Sequence, residues 1–454
     1  MKRLILSVLL IIANTALMTP SAFAEKIYVS CGPNATYSID LKSKSASEGT
    51  YCSGDLVIDS RVRIIEYRAF ENSKVISVKI PNLATSIYRN AFANTPLEKI
   101  EIPNSVSNIG AGAFLNTKIT DITLPNTLRS IEDGTFSGSA LASIEIPKSV
   151  TKIGPAAFNG SKLNSIIIPS SVKSIGQAAF ANTSLTSIEI PDSITRIEQH
   201  TFAFSNLEQI KIANSVEIIE YGAFSFSQLE TVEIPDSVIL IGDAAFDRSP
   251  IISLKIGDSV TVIGNRAFSG TKLTSLAIPN SVIRIGDAAF LGAPLTSLVL
   301  GDSVQSIGKE AFAATKLKSV VIPNSVLSIG ELAFDLESIS LPKTLSDIQI
   351  SAFELSAFQY SSSQSPRVIF YCGAHSGFSN PTVCSEERKR LDEDEVQKSL
   401  LEAELKAVSE LKARQEAAAK AVAKKTTITC LKGKLIKKVT AVKPKCPSGY
   451  KVKK

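Results

Sequence analysis

The amino-acid sequence predicts a β-rich solenoid of stacked 22-residue coils with a parallel strand ladder, followed by an α-helical stalk and a small disulfide-closed tail. The first observation is a phenylalanine at every twenty-second position, an internal repeat that indicates a stack of similar units. The second is a set of apolar columns with the same spacing, and the third is a change to charged, alanine-rich sequence after residue 385. The repeated phenylalanines are Phe70, Phe92, Phe114, Phe136, Phe158, Phe180, Phe202, Phe224, Phe246, Phe268, Phe290, Phe312 and Phe334, and Phe353 follows earlier than the period requires.

Each coil is predicted to contain one short strand and one tight corner. In a representative coil, Ile188 and Ile190 alternate with Ser187 and Glu189, which is the period-two pattern of a strand with one buried face. Pro191 follows, and proline cannot continue a hydrogen-bonded ladder because it lacks an N–H group. The chain is therefore expected to turn there.

The repeat also sets the predicted domain boundaries. One coil cannot bury its apolar face alone, so neighbouring coils must stack and the two ends of the stack need covers. The predicted segments are a signal peptide at 1–24, an N-terminal cap at 25–60, the solenoid at 61–360, a C-terminal cap at 361–384, a charged helix or stalk at 385–425 and a lysine-rich disulfide tail at 426–454.

The columns resemble a known repeat family. The pattern Leu-x-x-Ile-x-Ile-Pro-x-Ser-Ile/Val-x-x-Ile-Gly-x-x-Ala-Phe occurs with minor substitutions at 141–158, 163–180 and 273–290. It is similar to the BspA-like leucine-rich repeat of secreted or surface bacterial proteins, over residues 61–353. The resemblance implies a leucine-rich-repeat solenoid and an adhesion-type role. Serine or threonine replaces the asparagine of the commoner leucine-rich pattern, which favours short strands or irregular turns over helices on the outer side, at Ser105, Thr127, Ser149, Ser171, Ser193 and Ser215.

The first 24 residues are predicted to be a signal peptide. Lys2 and Arg3 precede an apolar run at 4–12, and Ala22 and Ala24 are the small residues that a signal peptidase recognises. An uncleaved anchor is the alternative. No later stretch approaches the roughly 20 apolar residues of a membrane span, so the protein is expected to be secreted or at the cell surface without a transmembrane span after cleavage.

Six cysteines form three couples that are close in sequence and lie outside the phenylalanine array. Exported proteins use an even number of cysteines mostly in disulfides, although proximity in sequence does not prove pairing. A metal site is not expected, because no C-x-x-C pair occurs and His200 and His375 stand alone; no cofactor is expected either. The predicted couples are Cys31 with Cys52, Cys372 with Cys384, and Cys430 with Cys446.

Ligand contacts are expected at positions that the core does not dictate. On the predicted strand, this position lies between the two buried residues. Neighbouring coils place Ala277, Val299 and Val321 there, as one exposed apolar strip that a partner can cover. Aliphatic residues on exposed strands also reflect β-propensity alone, and this alternative stays open. Glutamates hold the same position in earlier coils, at Glu101, Glu145, Glu189 and Glu233.

Aromatic residues on adjacent coils form a second candidate site. Phe204 and Phe226 occupy turn positions where other coils carry Asn or Gly, and His200 and Tyr221 belong to the same coils. Aromatic side chains are frequent hot spots at interfaces. The structural alternative is that the rings stack on one another and close a looser edge of the solenoid.

Beyond the solenoid the sequence becomes charged. At 385–425, opposite charges four residues apart, such as Glu402 with Lys406, support an exposed helix, whereas the apolar stripe is too short to predict a coiled coil. The end of the chain holds eleven lysines and no acidic residue from 424 to 454, without interleaved aromatics. This composition favours an anionic cell-wall polymer over nucleic acid as a partner, with solubility as the alternative. The lysines expected to contact the polymer are Lys432, Lys434, Lys437, Lys438, Lys443 and Lys445.

Catalysis is not expected. A catalytic site needs titratable groups clustered in a pocket, whereas the two histidines are far apart in sequence and no Gly-x-Ser-x-Gly or phosphate-binding loop occurs. We therefore expect an exported recognition protein that binds an extracellular protein or polysaccharide through the strand face of the solenoid. The alternative is a non-catalytic structural spacer in the cell envelope, attached through the cationic tail.

Overall fold

The structure, a computed structural model, describes residues 26–336, 338–340, 347–348, 353–354, 426–432, 435–441 and 451–452. The chain divides into two compact units, Met1–Tyr371 and Cys372–Lys454, and each is treated by itself. The predicted signal peptide, C-terminal cap and helical stalk lie outside the described residues. So do Cys372, Cys384 and Cys446, together with the side chain of Cys430.

Two ladders of parallel strands run along the solenoid. Ladder 1 consists of the strands that precede the corner of each coil: Ser53–Val57, Lys74–Lys79, Lys99–Glu101, Ser143–Glu145, Ser165–Ile167, Ser187–Glu189, Gln209–Lys211, Thr231–Glu233, Ser253–Lys255, Ser275–Ala277, Ser297–Val299, Ser319–Val321 and Ser338–Ser340. Ladder 2 consists of two-residue strands on the next side: Ile64–Ile65, Ser86–Ile87, Asn108–Ile109, Ser130–Ile131, Lys152–Ile153, Ser174–Ile175, Arg196–Ile197, Ile218–Ile219, Leu240–Ile241, Val262–Ile263, Arg284–Ile285, Ser306–Ile307, Ser328–Ile329 and Asp347–Ile348. Equal positions of neighbouring coils pair, such as Ile144 with Ile166, which confirms the predicted stack.

The phenylalanine column forms the centre of the core. Every repeated phenylalanine from Phe70 to Phe334 is fully buried. Neighbouring rings are stacked, with centroids between 5.0 and 6.0 Å apart. The isoleucine five residues before each phenylalanine is at most 3% exposed, as at Ile175 and Ile197. The apolar columns predicted from the sequence therefore point inward, and their burial supplies the main driving force for stacking.

The third side of each coil carries the phenylalanine and contains no helix within residues 26–336. The residues two before and two after each phenylalanine from Phe70 to Phe312 have positive φ, such as Ala178 at 54° and Asn182 at 55°. Left-handed residues end a right-handed helical turn, so the segment folds as irregular turns. The N–H of Phe180 donates to the carbonyl of Thr201 in the next coil at 2.9 Å, and other coils repeat this bond. The expectation of irregular turns in place of helices is confirmed.

The last described coil keeps its register although it is short. Phe334 pairs in parallel with Phe353, and Ile329 pairs with Ile348. Ladder 1 shows the same offset, because Val320 pairs with Ile339. This coil is therefore shorter only in the turn after Phe334, and its strands stay in register with those of the preceding coil.

The N-terminal segment covers the first coil. The strands Lys26–Ser30, Thr36–Asp40 and Ser45–Ser47 are antiparallel, and the third joins ladder 2 in parallel. The ring of Tyr37 is fully buried and packs edge-on against Phe70, with 5.6 Å between centroids. Gly49 passes so close that a Cβ atom there would lie 2.3 Å from the Phe70 ring. Cys31 and Cys52 are joined by a disulfide within this segment.

The second unit contains a small antiparallel sheet. The strands Thr426–Lys432 and Leu435–Ala441 form a hairpin, and Lys451–Val452 pairs with the first of them. In this hairpin, Cys430 lies opposite Lys437.

Ladder 1 is divided into pairs of coils, whereas ladder 2 is one sheet from Arg196–Ile197 to Asp347–Ile348. From Ser143 onward, successive strands of ladder 1 form five two-stranded sheets, with no ladder pairing between one sheet and the next among the described strands. Burial follows the same alternation, because Ile144 and Ile188 are buried while Ile166 and Ile210 are only partly buried. The structural repeat on this face is therefore two coils.

Candidate functional site on the strand face

The first and last residues of the three-residue ladder 1 strands up to Ser319–Val321 form the exposed strand face, whereas the middle residue is buried or partly buried. We call the last residues of the ladder 1 strands from Lys74–Lys79 to Ser319–Val321 the outward column, because they face solvent on this side of the sheet. Ile167, Val299 and Val321 in this column are 85%, 62% and 72% exposed. The outward column runs Lys79, Glu101, Glu145, Ile167, Glu189, Lys211, Glu233, Lys255, Ala277, Val299 and Val321.

Three of the four predicted glutamates are held by lysines on the paired strand. Lys211 Nζ donates to Glu189 Oε1, and Lys255 Nζ donates to Glu233 Oε1 at 2.5 Å. Glu101 Oε2 forms a longer ion pair with Lys79 Nζ, at 3.7 Å. The hydrogen bonds that Lys211 and Lys255 donate to the glutamate carboxylates raise the pKa of both lysines, so both ammonium groups are charged at neutral pH.

Glu145 differs from the other three glutamates. Its partner in the paired strand is Ile167, and Glu145 has no ion pair among residues 26–336. The outward column therefore offers one unpaired carboxylate beside a fully exposed isoleucine. Ile167 was not among the residues predicted to bind a ligand.

The predicted apolar strip lies at the other end of the outward column. Ala277 and Val299 are opposite each other in one two-stranded sheet, and Val321 belongs to the following sheet. All three side chains are exposed. Serines flank the strip in register, because Ser275 pairs with Ser297. The structure thus places the three residues on one face of consecutive coils.

The aromatic cluster consists of two ring pairs. Phe204 and Phe226 stack with 4.7 Å between centroids, and Phe204 remains 52% exposed. The ring of His200 meets Tyr221 edge-on at 4.9 Å. The guanidinium of Arg248 lies 5.3 Å from the Phe226 centroid, where it makes a cation–π contact. The rings stack on one another, as the structural alternative predicts. The ring of Phe204 also leaves an aromatic surface open to solvent.

A cleft interrupts ladder 1 where two strand pairs meet. It has a volume of about 320 Å³ and separates Gln209–Lys211 from Thr231–Glu233. We call it the mid-array cleft, and its lining is Ile210, Lys211, Ile212, Asn214, Glu233, Ile234, Pro235, Asp236 and Lys255. Of these, only Glu233 was predicted from the sequence as a ligand contact. Glu101, Glu145, Glu189 and Glu233 recur at every second coil, a spacing that agrees with the two-coil repeat of ladder 1 and does not single out this cleft.

Three further points concern metal ions, membrane spans and the lysines of the tail. Within the part of the chain that the structure describes, no three His, Cys, Asp or Glu side chains are grouped to hold a metal ion. The same residues include no helix with the length and apolarity of a membrane span. Lys432, Lys437 and Lys438 lie on described strands of the tail hairpin, whereas Lys434, Lys443 and Lys445 lie outside the described residues.

Comparison with known proteins identifies the repeat. Residues 44–164, 152–273 and 261–366 match the family described as BspA type leucine rich repeat region, in six copies. No curated protein matches the chain.

Solved structures of bacterial repeat proteins are also similar. A leucine-rich repeat protein from Bacteroides ovatus is 24% identical with a TM-score of 0.49, over 71% of this chain and 89% of its own. A leucine rich cell surface protein from Faecalibacterium prausnitzii is 20% identical with a TM-score of 0.35, over 73% and 96%. The pneumococcal vaccine antigen PcpA is 22% identical with a TM-score of 0.41, over 73% and 86%. The family match covers more than half of the sequence, from residue 44 to residue 366, and the chain therefore belongs to the BspA-type leucine-rich repeat family.

Proposed function

We propose that the protein is an exported recognition protein, secreted or held at a bacterial surface, that binds an extracellular protein or glycan through the outward column of ladder 1. Leucine-rich repeat scaffolds are typically binding proteins without catalytic activity, and this family is one of surface recognition or adhesion. The residues that recur in every coil serve the stacking of the coils. The exposed residues that vary from coil to coil serve partner binding.

The observation that carries this proposal is the exposure of Ile167, Val299 and Val321. These side chains contribute little burial to the solenoid, since they are 85%, 62% and 72% exposed. Covering one such side chain by a partner is worth about 1.5–3 kcal/mol when the burial is complete. The three residues therefore offer binding energy that folding does not use. The apolar strip and the unpaired Glu145 are the parts of the outward column that we expect a partner to contact.

The proposal is tested with the full chain as bait on beads, in an extracellular extract. We expect saturable capture of a partner, and we expect Val299→Lys with Val321→Lys to weaken it at least about tenfold, because the lysines replace apolar contacts. Ser306→Lys with Ser328→Lys is the matched control. These serines occupy adjacent coils in register on ladder 2. Equal loss in both double variants would count against the strand face.

The structural spacer is the second candidate function, and the lysine-rich tail with its own sheet is the observation that favours it. A variant without residues 426–454 separates the two in the same assay. Capture that persists without the tail supports recognition by the solenoid. Capture that needs only the tail supports the spacer attached to an anionic polymer.

A further inference from the structure

The mid-array cleft differs from the other interruptions of ladder 1 in its charges. Four interruptions separate the five two-stranded sheets. The outward residues on their two sides are Ile167 and Glu189, Lys211 and Glu233, Lys255 and Ala277, and Val299 and Val321. Only the second interruption has opposite charges on its two sides. Its volume of about 320 Å³ lies within the range of about 300–1,000 Å³ that is usual for small-molecule sites.

The charges at the cleft are already neutralised within their own sheets. Lys211 is bound to Glu189 on one side, and Glu233 is bound to Lys255 on the other. An ionic ligand would compete with an existing ion pair on whichever side it approached. A neutral ligand with hydroxyl groups can instead accept from the ammonium groups and donate to the carboxylates without breaking either pair.

The corner residues of the cleft have hydrogen-bonding capacity that the fold leaves unused. Asp236 accepts from the N–H of Asp258 at 3.0 Å, and Asn280 accepts from the N–H of Asp302 at 2.9 Å. Within residues 26–336, the side chain of Asn214 makes no such bond to the next coil, because the interruption separates it from Asp236.

The backbone at the cleft shows the same unused capacity. The N–H groups of Ile190 and Ile234 donate to Lys211 and Lys255 of the next coil, at 2.9 and 2.8 Å. Ile212 holds the equivalent position and lines the cleft, yet its N–H makes no backbone hydrogen bond to the next coil among the described residues. An N–H group at the cleft without a backbone partner is available to donate to a ligand acceptor.

The lining of the cleft thus combines apolar and polar residues. Ile212, Ile234 and Pro235 are apolar, and Asn214 and Asp236 are polar corner residues. Sugar rings have the matching chemistry, because their C–H faces are apolar and their hydroxyl groups both donate and accept hydrogen bonds. Resting on the proposed function, we infer that the mid-array cleft binds a neutral sugar unit of an extracellular glycan.

The test uses the full chain on a microarray of neutral oligosaccharides built from glucose, galactose, mannose and N-acetylglucosamine, followed by titration calorimetry with the tetrasaccharide that binds. We expect Asn214→Ala with Glu233→Gln to weaken binding at least about tenfold, since a polar site that loses its partners loses affinity. The matched control is Asn126→Ala with Glu101→Gln. These residues hold the same two columns outside the cleft, and Glu101 also has a lysine partner.

The outcomes separate this inference from the proposed function. Binding that falls equally in the control variant would overturn the cleft and leave recognition by the strand face standing. Capture of an extracellular protein with no binding to any neutral oligosaccharide would also overturn the cleft and leave the proposed function standing. Absence of binding in both assays would overturn both. Equal thermal midpoints for the two double variants establish that lost binding is not lost folding.

Discussion

At the scale of single residues, the same amino acid has two different tasks in this protein. Phe202 is fully buried in the ring stack, whereas Phe204 is 52% exposed two positions later. Phe204 also has a φ of 56°, in the left-handed region where the equivalent residues of other coils are mostly Asn or Gly. A left-handed residue with a side chain costs about 1–2 kcal/mol relative to the right-handed form. Folding therefore explains Phe202 completely and does not explain the choice of phenylalanine at 204.

We expect Phe202→Ala to lower the free energy of unfolding by about 3–5 kcal/mol, because it leaves a cavity in the ring stack. We expect Phe204→Asn to change it by less than about 1 kcal/mol. Asparagine tolerates the left-handed conformation, and this gain offsets the lost stacking on Phe226 of about 0.5–1.5 kcal/mol. Urea unfolding of both variants measures the difference. A large loss at Phe204 would show that its ring is structural.

At the scale of elements, the N-terminal cap connects its first strands to the solenoid through Asp59. The N–H of Asp59 donates to the hydroxyl of Tyr37 at 2.9 Å, and Tyr37 covers the end of the ring stack. Burial raises the pKa of Tyr37. The carboxylate of Asp59 accepts from Arg61 Nε at 2.8 Å and from a second guanidinium nitrogen at 2.8 Å. These bonds with Arg61 lower the pKa of Asp59 to about 2.

The lowered pKa of Asp59 makes the cap sensitive to acid. The ordinary pKa is 3.8, so the unfolded chain takes up a proton first as the pH falls, and stability declines from about pH 4 to about 2. We expect the stability advantage of the natural protein over Asp59→Asn to shrink between pH 5 and pH 2. Its size is below about 1 kcal/mol because Arg61 is about half exposed and solvent screens the pair. Urea unfolding at pH 5, 3 and 2 measures it, and an advantage that stays constant with pH would contradict the assignment.

At the scale of the whole solenoid, stability depends on the agreement of neighbouring coils. The strand pairs of ladder 1 alternate, and Glu233 finds its lysine only in the coil that follows it. A deletion of residues 231–274 removes two coils and keeps this alternation. A deletion of residues 253–274 removes one coil, and it sets Glu233 against Ala277 in place of Lys255.

We expect the two-coil deletion to keep the thermal midpoint within a few degrees of the natural chain, because nearest-neighbour interfaces are preserved. We expect the one-coil deletion to fold with a midpoint lower by at least about 2 °C, since an ion pair and ladder bonds of the strand pair are lost. Thermal unfolding followed by far-ultraviolet circular dichroism measures both. Equal midpoints would show that the alternation of ladder 1 has no energetic weight.

Particular residues show which parts of the fold and of the candidate site can be predicted from the sequence. Ile188 and Phe202 have apolar equivalents in every coil and Pro191 has a proline equivalent in most coils, so a single coil was enough to predict the strand, the corner and the core. Glu189 and Glu233 were predicted as ligand contacts, and the structure adds that lysines of the next coils hold both carboxylates in ion pairs. That contact joins residues 22 apart, and the spacing of the glutamates at every second coil was its only trace in the sequence.

The sequence by itself determined the coil, its buried columns and its family, because these depend on residue type and period. The tertiary structure alone decided which outward residues are held in ion pairs and which are exposed without one. Coils that repeat almost equally in sequence pack in pairs on one face, so the gaps between pairs, the cleft at Asn214 and the exposed side chain of Ile167 arise from packing between coils. Such packing is a property of neighbours in space, and no single coil contains it.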